Sequence, residues 1–190
     1  DTSGSAARLE SFENRNLYAV DAPLGEALAA FDAGWAADEL QALGAAWGTA
    51  GLQALARDAN VYPPRLHTHD RRGERLDDIE FHPAWHALMA ELIGSGAHAA
   101  PWAEPRPGAH AARAAKYLLW SQVENGTQCP TTMTFAVVPV IAAQPALAPQ
   151  WLPKLLARDY DPRPLPVADK PGVTMGMGMT EKQGGSDVRT

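Results

Sequence analysis

Residues 172–187 read Gly-Val-Thr-Met-Gly-Met-Gly-Met-Thr-Glu-Lys-Gln-Gly-Gly-Ser-Asp. In the first half of this stretch, Val173 and three methionines alternate with small residues, and this two-residue period is that of a β-strand. We expect a strand over Gly172–Thr180 with one apolar face and one face open to close backbone approach. Because a single strand is not stable alone, the pattern indicates a β domain that continues beyond Thr190, and hence a truncated chain.

The second half of the stretch offers groups that bind anions. Thr180 and Ser186 place two hydroxyls six residues apart, with Gly184-Gly185 between them. The backbone N–H groups of such a glycine pair are unobstructed by side chains and suit a pyrophosphate. The same composition is also that of an ordinary turn, and on spacing alone the turn is the simpler interpretation.

Up to Tyr160 the sequence has the periodicity of helices. Pro83 suits a helix start, and Asn125-Gly126 suits a left-handed helix stop. The segment Tyr117–Trp120 is apolar nearly all round, so its helix must be surrounded by others. Helices are expected near residues 23–33, 36–47, 49–59, 83–93, 109–124, 130–139 and 147–157.

Two stretches depart from the helical pattern. Val61–Phe81 is crowded with prolines, histidines and charges, and we expect a long loop with a turn at Asp70–Gly73. Four prolines after Arg158 predict an extended connector. The expected fold class is α+β, with an N-terminal arm over residues 1–16, an all-helical domain over 17–160, and a connector, first strand and loop of a β domain over 161–190.

Composition and charge limit the classes of function. The chain is 46% hydrophobic and 20% charged, which is typical of a folded protein. The formal net charge of -6 provides no positive field for nucleic acid or anionic lipid. A single cysteine fits a reducing cytosol, and no apolar run reaches the length of a membrane span. We therefore expect a soluble, cytoplasmic protein.

Three histidine or cysteine patterns have a functional and a structural interpretation. His67 and His69 lie in a proline-rich loop without a third well-placed ligand, so surface hydrogen bonding is favoured over a metal site. His82 and His86 have ligand-like spacing, but a helix entrance with packed aromatics explains them equally well. Cys129 has no evident base beside it, and a buried small hydrophobe is favoured over a nucleophile.

The stretch Gly178–Val188 resembles the Met-Thr-Glu-x-x-x-Gly-Ser-Asp signature of the acyl-CoA dehydrogenase family. Its version is similar to that of the DNA-alkylation-response branch of the family, the AidB-like flavoproteins. Several further stretches resemble the same branch in the same order along the chain, which makes the combined match more specific than any one motif. They are residues 68–71, 80–86, 121–124 and 129–134.

This resemblance implies a fold and a cofactor. The family has a helical N-terminal domain, a middle β domain and a C-terminal four-helix domain, usually in a homotetramer, and this chain would cover the first domain and the start of the second. The cofactor would be FAD. Thr180 would face the isoalloxazine ring, and Ser186 would reach the pyrophosphate and contact the acyl-CoA. The implied cofactor-binding residues are Met177, Gly178, Met179, Thr180, Gly184, Gly185 and Ser186.

The resemblance also implies the reaction of the complete protein, α,β-dehydrogenation of an acyl-CoA thioester. The catalytic base of the family is a glutamate of the C-terminal domain, so Glu181 is not that base and no catalytic or metal-binding residue is expected in this chain. Lys182–Gly185 departs from the commoner Pro-Gly-Ala-Gly version of the motif, which favours a flavin role more than ordinary CoA recognition.

The alternative function is that of a DNA-alkylation-response flavoprotein whose absent C-terminal domain binds duplex DNA. A third interpretation is a self-contained helical interaction module.

Overall fold

The computed structural model describes residues 12–178, and eight α-helices and one β-hairpin form within that range. Two short 3₁₀ turns, Gly34–Ala36 and Val167–Asp169, accompany them. The helices are α1 (Ala22–Ala30), α2 (Ala37–Trp47), α3 (Ala50–Val61), α4 (Pro83–Gly94), α5 (Ala100–Ala103), α6 (Ala109–Ser121), α7 (Gln128–Ala142) and α8 (Ala148–Leu155). The strands are β1 (Arg65–His69) and β2 (Arg75–Glu80). No helix in the described part of the chain is long and apolar enough to cross a membrane.

The main core lies between α1, α2, α4 and α6. Leu40, Leu88 and Leu119 are fully buried there. Trp47 and Trp120 meet edge to face at the centre, with their ring centroids 4.9 Å apart, a geometry that aromatic quadrupoles favour. The expectation that helices surround the middle of α6 is confirmed for Leu119 and Trp120, although Leu118 on the same turn is 56% exposed.

A second, smaller core lies between α7 and α8. Val138, Ile141 and Leu155 are buried in it, and Val173 and Met175 of the C-terminal described segment pack against them. Pro139 does not end α7, as the sequence had suggested it could, because the helix continues to Ala142. A proline inside a helix leaves the carbonyl four residues earlier without its usual donor; here that carbonyl, on Phe135, accepts a hydrogen bond from the Trp102 indole at 3.0 Å.

The prediction of a long loop between α3 and α4 is wrong, because β1 and β2 form an antiparallel hairpin there. The expected turn at Asp70–Gly73 is confirmed: one Asp70 carboxylate oxygen accepts from the Arg72 and Glu74 N–H groups. Every residue of both strands is exposed. The strands therefore bury no apolar face that would produce a clear sequence signal, and the domain is helical with a hairpin rather than all-helical.

The predicted left-handed helix stop at Asn125-Gly126 is also wrong. The helix α6 ends at Ser121, and the described glycines with positive φ are Gly73, Gly96 and Gly108. A side chain organises the turn instead: the Glu124 carboxylate accepts from the Gly126 N–H group and from the Thr127 N–H and hydroxyl groups. Carboxylates that accept several such bonds stabilise a turn without a left-handed residue.

Candidate functional site

The segment Gly172–Gly178 leaves the helical domain along α7 and α8. The Val173 N–H group donates to the Lys154 carbonyl oxygen at 3.1 Å. Two residues later, the Met175 N–H group donates to the Thr134 hydroxyl oxygen at 3.0 Å. Over its described part, to Gly178, the expected strand Gly172–Thr180 forms no ladder, because its hydrogen-bond partners are helical residues.

The two sides of this segment have different surroundings. Val173 and Met175 pack against the second core. An added Cβ at Gly176 or Gly178 would meet no other described atom within 4 Å beyond its chain neighbours. Val173 and Met175 thus face the second core, whereas the backbone at Gly176 and Gly178 is open among the described residues. Met177 is 55% exposed.

The connector that precedes the segment is held by Lys154 of α8. Its ammonium group donates to the Ala168 carbonyl oxygen at 2.9 Å and to the Lys170 carbonyl oxygen. Further upstream, the Arg163 guanidinium donates to both carboxylate oxygens of Asp161, at 2.8 and 2.7 Å. These hydrogen bonds hold the pKa of Asp161 well below its usual range. Charged contacts with carbonyl and carboxylate oxygens thus fix an otherwise irregular stretch.

An aromatic groove of about 570 Å³ lies between the hairpin, the start of α4 and the connector. Trp85, His86 and Tyr160 form one wall, and Thr174 of the C-terminal segment reaches its edge. The His86 Nδ1 atom and the Tyr160 hydroxyl are 2.8 Å apart. Burial, and secondarily the charge of Asp161, raises the pKa of Tyr160 to about 12, while burial lowers the pKa of His86. Both side chains are therefore neutral near pH 7.

The cofactor-binding residues implied by the resemblance fall on both sides of the described boundary. Met177 and Gly178 lie on the segment just described. Met179, Thr180, Gly184, Gly185 and Ser186 lie outside the described residues. The structure accordingly shows where Met177 and Gly178 lie, and the cofactor-binding role of all seven residues stays a prediction.

The histidine pairs have local partners. The His67 Nε2 atom lies 2.7 Å from a Glu80 carboxylate oxygen across the hairpin, and His69 Nδ1 lies 3.1 Å from the Thr68 hydroxyl. His82 caps α4, since its Nδ1 atom accepts from the Ala84 N–H group at 3.2 Å, as the helix-entrance interpretation predicts. Among the described residues, no three histidine, cysteine, aspartate or glutamate side chains are grouped closely enough to hold a metal ion.

The interpretation of Cys129 as a buried hydrophobe is wrong, because its side chain is exposed. Cys129 is the second residue of α7, and the buried positions of that helix are Thr131, Thr134, Val138 and Ile141. These four residues follow the three- and four-residue spacing of one helix face. Cys129 lies off that face.

Sequence reasoning missed a buried polar cluster on α6. Lys116 is only 3% exposed, and its ammonium group donates to a Glu39 carboxylate oxygen and to the Ser95 carbonyl oxygen, each at 2.7 Å. The neighbouring Arg113 donates to the Ala97 carbonyl oxygen at 2.7 Å. Lys116 follows Ala112 by four residues, so the helix period places it on the core face of α6. The four-residue spacing from Ala112 is the sequence signal from which the burial of Lys116 could have been predicted.

The fold of this helical domain is that of the acyl-CoA dehydrogenases. The chain superposes with a TM-score of 0.79 on the Caenorhabditis elegans protein ACDH-11, solved in complex with C11-CoA, at 24% identity over 99% of this chain and 32% of that one. It superposes with the same TM-score on the apo form of Bd2924, at 29% identity over 94% of this chain and 35% of that one. This likeness shows the fold alone.

Residues 8–162 match the family model of the adaptive response protein AidB N-terminal domain, and the chain belongs to that family. It is 49% identical over 177 residues to the Escherichia coli (strain K12) protein named "Putative acyl-CoA dehydrogenase AidB". That alignment covers 92% of this chain and 33% of the relative. The chain therefore spans about a third of the length of the proteins that it matches.

Proposed function

We propose that this chain supplies the helical domain and the start of the flavin site of an FAD-dependent acyl-CoA dehydrogenase-like oxidoreductase. The observation that carries the proposal is the bare backbone at Gly176 and Gly178, which leads directly into the Thr180–Ser186 motif. A flat ring requires backbone free of side chains on one face, and this segment fits that requirement. The family membership and the relative's name support the same class of reaction.

In this proposal the residues have distinct tasks. The backbone from Met177 to Thr180 lies along the isoalloxazine ring, and the Thr180 hydroxyl faces it. The Gly184 and Gly185 N–H groups and the Ser186 hydroxyl bind the pyrophosphate, and Ser186 also contacts the acyl-CoA. When bound, FAD supplies the acceptor for a hydride that leaves the β-carbon of the acyl thioester while a base removes an α-proton. That base comes from a part of the protein beyond this chain.

The experiment uses the full natural protein, purified with its flavin and mixed without oxygen with C11-CoA, the ligand of the structural neighbour. We predict that the visible flavin absorbance bleaches as a 2-enoyl thioester forms, and that the free fatty acid leaves the flavin oxidised. Persistent flavin colour with every acyl-CoA tested would contradict the dehydrogenase reaction.

A matched pair of alanine substitutions tests the flavin site separately. Gly178 and Gly51 both have open space where a Cβ would lie, but only Gly178 is on the proposed flavin face. Gly178→Ala is expected to weaken FAD binding about tenfold because its methyl group displaces the ring, whereas Gly51→Ala on α3 leaves binding unchanged. Equal FAD affinity in the two variants would remove Gly178 from the site.

The family takes its name from an adaptive response protein, and this favours a second candidate function. In this candidate, a flavoprotein of the DNA-alkylation response binds FAD and duplex DNA, and DNA binding is carried by the C-terminal part. The net charge of -6 on the present chain fits that division. Unbleached flavin together with strongly salt-dependent duplex binding would select this candidate. Under both candidates we expect a cytoplasmic homotetramer.

A further inference from the structure

The Thr134 side chain links α7 to the proposed flavin-binding segment. Thr134 is fully buried. Its hydroxyl donates to the Pro130 carbonyl oxygen at 2.8 Å, one turn earlier in the helix, and this bond fixes the orientation of the Oγ1 atom. A hydroxyl that donates once still accepts through its lone pairs. In this protein the Met175 N–H group donates to the Thr134 Oγ1 atom at 3.0 Å.

This hydrogen bond selects which residues face the helices. Met175 is bonded to Thr134, and Val173, two residues earlier, is bonded to the Lys154 carbonyl oxygen. In extended backbone, residues two apart share a face and intervening residues share the other. The two bonds therefore hold Val173 and Met175 against the second core and leave Gly176 and Gly178 on the open side.

A shift of the segment by one residue would reverse this arrangement. A one-residue shift moves every side chain of an extended segment to the opposite face. Met175 or Met177 would then occupy the open position that Gly176 or Gly178 occupies in the observed register. Packing alone resists the shift weakly, because Met177 is already 55% exposed and methionine adapts to many surroundings. The hydrogen bond to Thr134 is directional, so it favours the observed register over the shifted one more strongly than packing does.

We propose that Thr134 is a positioning residue that sets the register of the flavin-binding segment, so that bare glycine backbone and not a methionine side chain faces the isoalloxazine ring. This inference rests on the proposed flavin site. Thr134 acts through Met175 and touches neither cofactor nor substrate. The expected consequence of its loss is a misaligned flavin, with the helical domain itself retained.

The test compares variants of the full natural protein after removal and re-addition of FAD. Thr134→Val keeps the shape but removes the acceptor, and we expect the FAD dissociation constant to rise about tenfold, the order expected when a partly buried N–H group loses its partner. The circular dichroism of the bound flavin should change as well. Thr134→Ser keeps the hydroxyl and should restore both properties.

Thr132→Val is the matched control on the same helix. Its exposed hydroxyl donates to the Tyr117 hydroxyl at 3.0 Å and makes no hydrogen bond to the described residues 172–178, so FAD affinity and flavin dichroism should stay at the wild-type values. Wild-type affinity and dichroism in Thr134→Val would overturn the inference while leaving the flavin site intact. A wild-type protein that binds no FAD would overturn the proposed function and this inference together.

A measurement without substitutions covers the case in which Thr134→Val does not fold. Amide hydrogen exchange in the FAD-free wild-type protein should show Met175 protected like Val173, and Gly176 exchanging faster. Met175 exchange as fast as that of Gly176 would overturn the proposed register.

Discussion

At the scale of single residues, His98 shows how burial is balanced by one hydrogen bond. The side chain is 1% exposed, and its Nε2 atom lies 2.9 Å from the Ala157 carbonyl oxygen, so this nitrogen carries the proton. Among the described residues, His98 Nδ1 is one of three buried side-chain atoms without a hydrogen-bond partner. Burial chiefly, with the charges of Arg158 and Arg113, lowers the pKa of His98 to about 4.

This lowered pKa predicts acid sensitivity. Below pH 6.5, the ordinary pKa of histidine, His98 binds a proton in the unfolded chain, whereas in the folded chain it stays neutral until about pH 4. The free energy of unfolding therefore falls as the pH falls from 6.5 to about 4. The contribution of His98 between pH 7 and pH 4.5 is about 2–3 kcal/mol. Urea unfolding at the two pH values should show this loss in the wild type and a smaller loss in His98→Gln.

The control for this comparison is His69→Gln, since His69 lies on the exposed hairpin. Its acid dependence should match that of the wild type. An equally steep loss of stability in His98→Gln would mean that other groups cause the acid sensitivity.

At the scale of elements, the connection between α6 and α7 depends on Glu124. This carboxylate is 6% exposed, and one of its oxygens accepts from both the N–H and hydroxyl groups of Thr127 at 2.7 Å. The Thr127 hydroxyl oxygen in turn accepts from the Trp120 indole at 3.0 Å. One side chain thus connects the turn to the aromatic centre of the main core.

Glu124→Ala should lower the free energy of unfolding by about 2–4 kcal/mol, because buried N–H groups lose a charged acceptor. The exposed Glu26→Ala on α1 is the control and should change stability by less than about 0.5 kcal/mol. Urea unfolding at pH 7 measures both variants. A Glu124→Ala protein as stable as the control would show that water replaces the carboxylate.

The elements that could be predicted are those with strong local signals. Pro83 marked the start of α4 correctly, and Asp70 specified its turn through its own side chain. The hairpin could not be predicted, because alternating patterns arise only when one strand face is buried, and both faces are exposed. The end of α6 was missed because the side chain of Glu124, three residues beyond the helix, organises the turn in place of a left-handed residue.

At the scale of the whole molecule, the helical domain and the segment after it share one small core. Val173 and Met175 complete the packing of α7 and α8, and Lys154 fixes the connector. The family and its helical fold could be recognised from several sequence stretches in order. The anchoring of Met175 to Thr134 could not, because a hydrogen bond between residues 41 positions apart depends on how α7 is placed.

The most direct test of the account is a crystal structure of the full natural protein with FAD bound. The account predicts that the isoalloxazine ring lies against the backbone of residues 176–180, on the side of Gly176 and Gly178, with Met175 still bonded to Thr134. A flavin bound elsewhere, or this segment turned with its glycines against the helices, would contradict it.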